Sequence, residues 1–194
     1  MNIEIIELKK DLINQYHVEN FLFRMVKESY GLDYVPEYHY DIKNLQKYYL
    51  KPQKNNFYIA IDKDTDKIIA TSGIRGYDRE EIIKDRKYSI DDTASIYRVF
   101  VEKEYRHHRI ASRLIQKIED FCKRNYYSQI YLHTQKDSYG ALPFWLSQDF
   151  KIIDDTHDEM GTIHMEKVIN RDLMNISSVN ENKKQIGTLI LNSF

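Results

Sequence analysis

The chain has 194 residues, 42% of them apolar and 13% aromatic, enough to bury a real core and to read as one domain with a tail. Its 29 Lys and Arg nearly balance 30 Asp and Glu; a net charge of -1 argues against a protein whose main work is coating nucleic acid, so any basic site is local. A single cysteine, Cys122, allows no intrachain disulfide, and neither a signal peptide nor a membrane span is read, so the expectation is a soluble, cytoplasmic protein without membrane contact.

Ile3, Ile5 and Ile6 predict a first strand. Residues 11–29 read as a helix, with Leu12, Tyr16, Leu22, Met25 and Val26 near helical spacing and Gly31 as the stop. A second, shorter helix is expected over 41–50. NFYIAID (56–62) and KIIATSGIR (67–75) are β-rich runs joined by a polar turn, which is a hairpin signature. Residues 77–92 read as a charged loop or short helix, and TASIYRVFV (93–101) as a strong strand. The clearest helix follows, where Ile110, Leu114, Ile118, Phe121 and Cys122 form one stripe. QIYLHT (129–134) is a strand, GALPFWLSQ (140–148) a short helix with Pro143 tolerable only near its first turn, and FKIID and TIHMEKV are closing strands around an acidic loop. The order β, α, α, β, β, β, α, β, α, β, β predicts a mixed α/β sheet with helices on its faces.

Between the strand at 93–101 and the helix at 110 lies VEKEYRHHRIASRLIQ (101–116). A strand running into a helix leaves the first helical amides without backbone partners and puts partial positive charge there. With Arg106, His107, His108, Arg109 and Arg113 around it, this helix start reads as a phosphate or pyrophosphate site, or else as a solvated basic loop. It is not a P-loop, since no Gly-Lys-Ser/Thr is present, and the His pair has no third ligand at a metal-site spacing.

YRVFVEKEYRHHRIASRLI resembles the acetyl-CoA-binding motif of the GCN5-related N-acetyltransferase (GNAT) superfamily, Gln/Arg-x-x-Gly-x-Gly/Ala between a strand and a helix. Arg106 matches the first position and Ala111 the last, while Arg109 stands where the first glycine is expected. SYGALPFWLSQDF (138–150) is similar to the family's Asn-x-x-Ala-x-x-Phe-Tyr-x-x-x-Gly-Phe segment: Ala141, Phe144 and Phe150 match, and Ser138, Trp145 and Asp149 replace Asn, Tyr and Gly. The resemblance covers residues 1–168, taken as the domain, with 169–194 as a C-terminal extension of unassigned role. It implies an α/β fold of the GNAT type: a mixed, mostly antiparallel sheet of about seven strands, splayed between strands 4 and 5 and flanked by about four helices.

The resemblance also implies acetyl-CoA as acyl donor and direct attack by the primary amine of a small molecule or peptide in a ternary complex. Family members are often homodimers, and the apolar end at 186–194 would suit an interface. Donor binding would fall to the backbone of Val99, Phe100 and Val101, to Arg106, His107, His108, Arg109, Ile110, Ala111 and Ser112 around the pyrophosphate, and to Ser138 and Trp145. An ammonium must lose a proton before it attacks, yet Ala94-Ser95-Ile96-Tyr97 offers no carboxylate, so Tyr97 and then His133 are the candidate proton acceptors. Each is alternatively a packed structural residue. The indole of Trp145 is a poor acid, which leaves Tyr139 as candidate donor to the departing thiolate. No metal is implied. The acidic run at 154–160 would attract a cationic amine or is a solvated turn; Tyr38, Tyr40, Tyr48 and Tyr49 line the acceptor cleft or simply pack. Two other readings use the same residues: a GNAT-fold acyl-CoA-binding sensor or structural subunit, and an unrelated nucleotide-phosphate binder.

Overall fold

The computed structural model describes residues 1–79, 83–138 and 140–169. Strands β1 (Ile3–Glu7), β2 (Asn56–Asp62), β3 (Lys67–Gly76), β4 (Thr93–Val101), β5 (Gln129–Gln135), β6 (Lys151–Asp155) and β7 (Thr162–Val168) form one sheet in the order β1-β2-β3-β4-β5-β7-β6. All neighbours are antiparallel except β4 and β5, which run parallel. Parallel neighbours need a crossover, and helix α4 (Ile110–Arg124) supplies it.

The hairpin β2–β3 is buried on both faces because helices cover both. Tyr58 and Ala60 of β2 face one core with α4, while Phe57, Ile59 and Ile61 face a second core with α2 (Val18–Tyr30) and α3 (Pro36–Lys43). From α4, Leu114, Ile115, Ile118 and Cys122 are at most 1% exposed. Each such aliphatic side chain contributes about 1.5–3 kcal/mol by leaving water, so this stripe holds the crossover against the sheet. A short helix, α5 (Ala141–Ser147), packs Trp145 beside Phe150 on the same side. Pro143 sits within its first turn, as the sequence predicts.

The sequence differs from the structure in its first helices. Residues 11–29 are two helices, α1 (Lys10–Gln15) and α2, broken where His17 takes a left-handed φ of 47°. On a continuous helix Tyr16 and Val18 would lie about 200° apart, so one rod could not turn both toward the sheet. The helix expected at 41–50 begins earlier, at Pro36, whose fixed φ and missing N–H suit a first helical position. It ends at Lys43, and a single π-type turn, Gln46–Leu50, follows. Of the extension from 169, only Ile169 is described, buried against the main core; the apolar end at 186–194 lies outside the described residues.

Candidate active site

β4 and β5 pair only where residues 93–95 meet 129–131. Beyond that fork β4 runs on beside β3 alone, and its last residues border an open cleft of about 770 Å³. Tyr97, Arg98, Val99 and Phe100 form one wall of it, His133 of β5 and Trp145 of α5 the other, and Tyr38 of α3 a third side.

The β4 wall is bent by a bulge. Tyr97 opposes Gly73 and Phe100 opposes Thr71, so Arg98 and Val99 both stand opposite Ser72. Arg98 holds a φ of 53°, a left-handed conformation that costs a non-glycine residue about 1–2 kcal/mol. Thr71 Oγ1 donates to the Arg98 carbonyl at 2.8 Å. The Arg98 Nε donates to Asp41 Oδ2 at 3.0 Å, and its Nη2 donates to Asp41 Oδ1 and to the carbonyl of Tyr38. Burial alone would raise the pKa of Asp41; Arg98 and the Tyr49 hydroxyl (2.6 Å) more than reverse this and hold it below the usual carboxylate value.

β4 then leads through a 3-10 turn, Lys103–Tyr105, to the start of α4. The Tyr105 hydroxyl donates to Asp62 at 2.8 Å, and Arg106 Nε donates to the Val101 carbonyl at 3.2 Å. His107 (φ 65°) and Arg109 (φ 58°) are both left-handed. Arg109 therefore adopts the backbone that a glycine favours, with its side chain exposed. The first intrahelical bond is made by the Arg113 N–H to the Arg109 carbonyl, so the amides of Ile110, Ala111 and Ser112 precede the helical ladder. Arg106, His107, His108 and Arg109 are exposed around them, and no acidic residue lies in the first turn. These residues fit a pyrophosphate at a helix start. Arg113 does not belong to the set, since its Nη2 donates to the Ile3 carbonyl of β1 at 3.1 Å.

The structure thus brings Tyr97, His133, Val99, Phe100, Ser138 and Trp145 to one cleft, with Val101 at its end and the basic turn beyond. Tyr139 lies outside the described residues. His133 stands open to the cleft, yet protein crowds it; that desolvation and the positive charge of Arg79, His164 and Arg98 hold its pKa down, to about 3. It is a neutral ring at pH 7. Tyr38, Tyr40 and Tyr48 line the cleft, whereas Tyr49 is fully buried on Phe57. Three carboxylates of the acidic run at 154–160 have partners within the fold: Asp154 pairs with Lys84, Asp155 with Lys136, and Asp158 accepts from the Thr162 N–H.

Sequence reasoning passed over Arg75, Asp78, Arg98 and Asp41. Arg75 is 8% exposed, ion-paired with Asp78, and its guanidinium lies 4.5 Å from the Tyr97 ring centroid and 4.7 Å from that of Tyr48. Two arginines at β positions, in KIIATSGIR and TASIYRVFV, were the available signal, because a strand buried on both faces accepts a cation only beside a partner.

The sequence profile of the acetyltransferase (GNAT) family matches residues 20–150. An N-acetylaspartate synthetase from Xenopus tropicalis is 26% identical over 111 residues, which are 57% of this chain and 36% of that relative. A GNAT-family acetyltransferase from Staphylococcus aureus Mu50 superposes with a TM-score of 0.68 at 20% identity, over 87% of this chain and 100% of that one. The PaiA N-acetyltransferase of Thermoplasma acidophilum, solved with coenzyme A, gives 0.61 at 22% identity, over 87% and 99%. The forked sheet and the basic helix start stand inside the matched segment, and the chain belongs to the acetyltransferase (GNAT) family, whose acyl donor is acetyl-CoA.

Proposed function

We propose that the chain transfers an acetyl group from acetyl-CoA to a primary amine by direct attack in a ternary complex. The observation that carries this reading is the fork: β4 continues past residue 95 without β5 and leads into a left-handed, basic helix start. When bound, acetyl-CoA supplies the activated acyl thioester. In this reading the backbone of Val99, Phe100 and Val101 holds the pantetheine arm as a strand would. The amides of Ile110, Ala111 and Ser112, with Arg106, His107, His108 and Arg109, receive the pyrophosphate. Trp145 and Ser138 close the far wall.

Tyr97 is the proposed proton acceptor. Its hydroxyl donates to Asp78 Oδ1 at 3.2 Å, so it can pass that proton to the carboxylate while taking one from the acceptor's ammonium, which frees the amine lone pair for attack. His133, whose pKa is held down, is the second candidate for this role. The thiolate, with a free pKa of about 8.5, leaves without a strong acid from Trp145. The acceptor is an amine on a small molecule or peptide, and the likeness to an N-acetylaspartate synthetase makes amino acids the first class to screen. The single, buried Cys122 suits a reducing cytoplasm.

The test is calorimetric titration with acetyl-CoA, followed by thiol release across an amine panel. Saturable micromolar binding that weakens in the Arg106→Ala, His108→Ala double variant supports the reading. Absence of binding at millimolar acetyl-CoA overturns it. Binding without thiol release for any amine would leave an acyl-CoA-binding protein.

A further inference from the structure

Helix α3 forms part of the acceptor side of the cleft, and its attachment to the body is mostly polar. Its buried residues are His39, Asp41 and Ile42, so a single aliphatic side chain anchors it by apolar burial. Tyr38 and Tyr40 face outward, 64% and 49% exposed. The His39 Nδ1 accepts from the Val35 N–H at 3.0 Å, a bond within the helix's own N-terminus. What ties α3 to the sheet is Asp41, held by the Tyr49 hydroxyl and by the forked guanidinium of Arg98. The two side chains are 15% and 7% exposed, Arg98 and Asp41 respectively. The same Arg98 also donates to the Tyr38 carbonyl, so it grips α3 at two points one turn apart.

Arg98 is also the bulge of β4. Its left-handed φ sets where Val99 and Phe100 point, and Thr71 fixes its carbonyl. One residue therefore carries both the shape of the donor strand and the docking of the acceptor-side helix. A bidentate arginine–carboxylate contact has a fixed planar geometry, so a change in the backbone angles of the bulge pulls on α3 through that contact.

We propose that Arg98 and Asp41 are a positioning pair that couples the two substrates: a donor seated along β4 sets Arg98, and Arg98 sets α3 against the acceptor. The inference rests on β4 being the donor strand. It places the pair outside the chemistry, touching neither reacting atom, and it makes the acceptor wall of the empty protein looser than that of the loaded one.

Backbone hydrogen exchange of the intact chain, with and without saturating acetyl-CoA, tests this without a known acceptor. The expected result is slowing at residues 110–112 and, in parallel, slowing of about fivefold or more in the amides of α3. In Asp41→Asn, acetyl-CoA still slows residues 110–112 but no longer slows α3. If residues 110–112 slow while α3 does not, or if the α3 response survives Asp41→Asn, the coupling is wrong and the donor site stands. If residues 110–112 do not respond in the unsubstituted protein, the donor reading falls and takes the coupling with it. Should Asp41→Asn not fold, Arg98→Lys keeps the charge while removing the fork and is expected to lose the α3 response likewise; retention of that response overturns the proposal.

Discussion

The Tyr97 hydroxyl of β4 donates to the carboxylate of Asp78, two residues past the end of β3, at 3.2 Å, and the Arg79 Nε donates to the same hydroxyl at 3.4 Å. Arg75 lies against the face of the Tyr97 ring and pairs with Asp78. The phenol is thus held from its edge and from its face, pointed at a carboxylate that is ion-paired with Arg75.

Removing that hydroxyl should cost rate and leave binding alone. Tyr97→Phe is expected to lower kcat by about 100-fold, within the range for a lost proton-transfer group, with acetyl-CoA affinity changed less than about twofold. Asp78→Asn should lower kcat in the same direction. Thiol release at saturating donor, paired with calorimetry, separates the two quantities; a weakened affinity with normal kcat would instead place Tyr97 in donor binding.

The basic turn should show its charge through salt. Arg106→Ala with His108→Ala is expected to weaken acetyl-CoA binding by about tenfold at low ionic strength, and by less in ~0.5 M salt, where exposed charges are screened. Arg109→Gly is expected to raise unfolding free energy by about 1 kcal/mol, because the left-handed backbone no longer opposes a side chain. Urea denaturation reads the second effect, and a drop in stability would mean that the Arg109 side chain anchors the turn.

His133 gives a pH signature. Its folded pKa, about 3, lies below the unfolded value for histidine, so between these the unfolded chain binds more protons. Stability from this residue is complete above the unfolded value and is lost as pH falls toward the folded one. Since the ring opens onto the cleft, the slope should be smaller than that of a full proton. Urea midpoints across the acid range should therefore fall less steeply in His133→Gln, and the rate should show no inflection near pH 6.5 from this ring.

Gly73 carries the close packing beneath Tyr49. A Cβ there would stand 2.7 Å from Tyr49 Cε1 and 3.0 Å from Phe57 Cδ2, and both rings are fully buried. Gly73→Ala is expected to destabilise by about 1–3 kcal/mol through overpacking and to push Tyr49 off Asp41. Thermal unfolding with the variant tests it; an unchanged midpoint would show that the two rings yield freely.

The strands and α4 were legible because their apolar periods are clean: alternating or continuous in β2–β4, and a single stripe from Ile110 to Cys122. The basic turn at the start of α4 stood out through resemblance, including the Arg109 that stands where the family has glycine. What periodicity could not carry was the break at His17, since Leu12 and Tyr16 continue a helical spacing that only the sheet's position interrupts. The left-handed turns at Arg98, His107 and Arg109 were equally hidden, because backbone sign is written in glycines and these are not glycines. Asp78 stood in a stretch read as a charged loop, where a carboxylate carries no mark of its partner. Pairings such as Arg98 with Asp41 span 57 positions of sequence, and nothing local announces them.

The opening between β4 and β5 has a further consequence in thickness. Where neighbouring strands separate, two bare main-chain edges face each other across a wedge that widens from the fork. At its apex the two strands are still paired, about 4.8 Å apart, and room for an extended segment opens only where they stand roughly two strand spacings, ~9.6 Å, apart; what pairs with both edges there is slender and extended. The sheet in this sense is an unfinished weave, with room left beside β4 for one more thread.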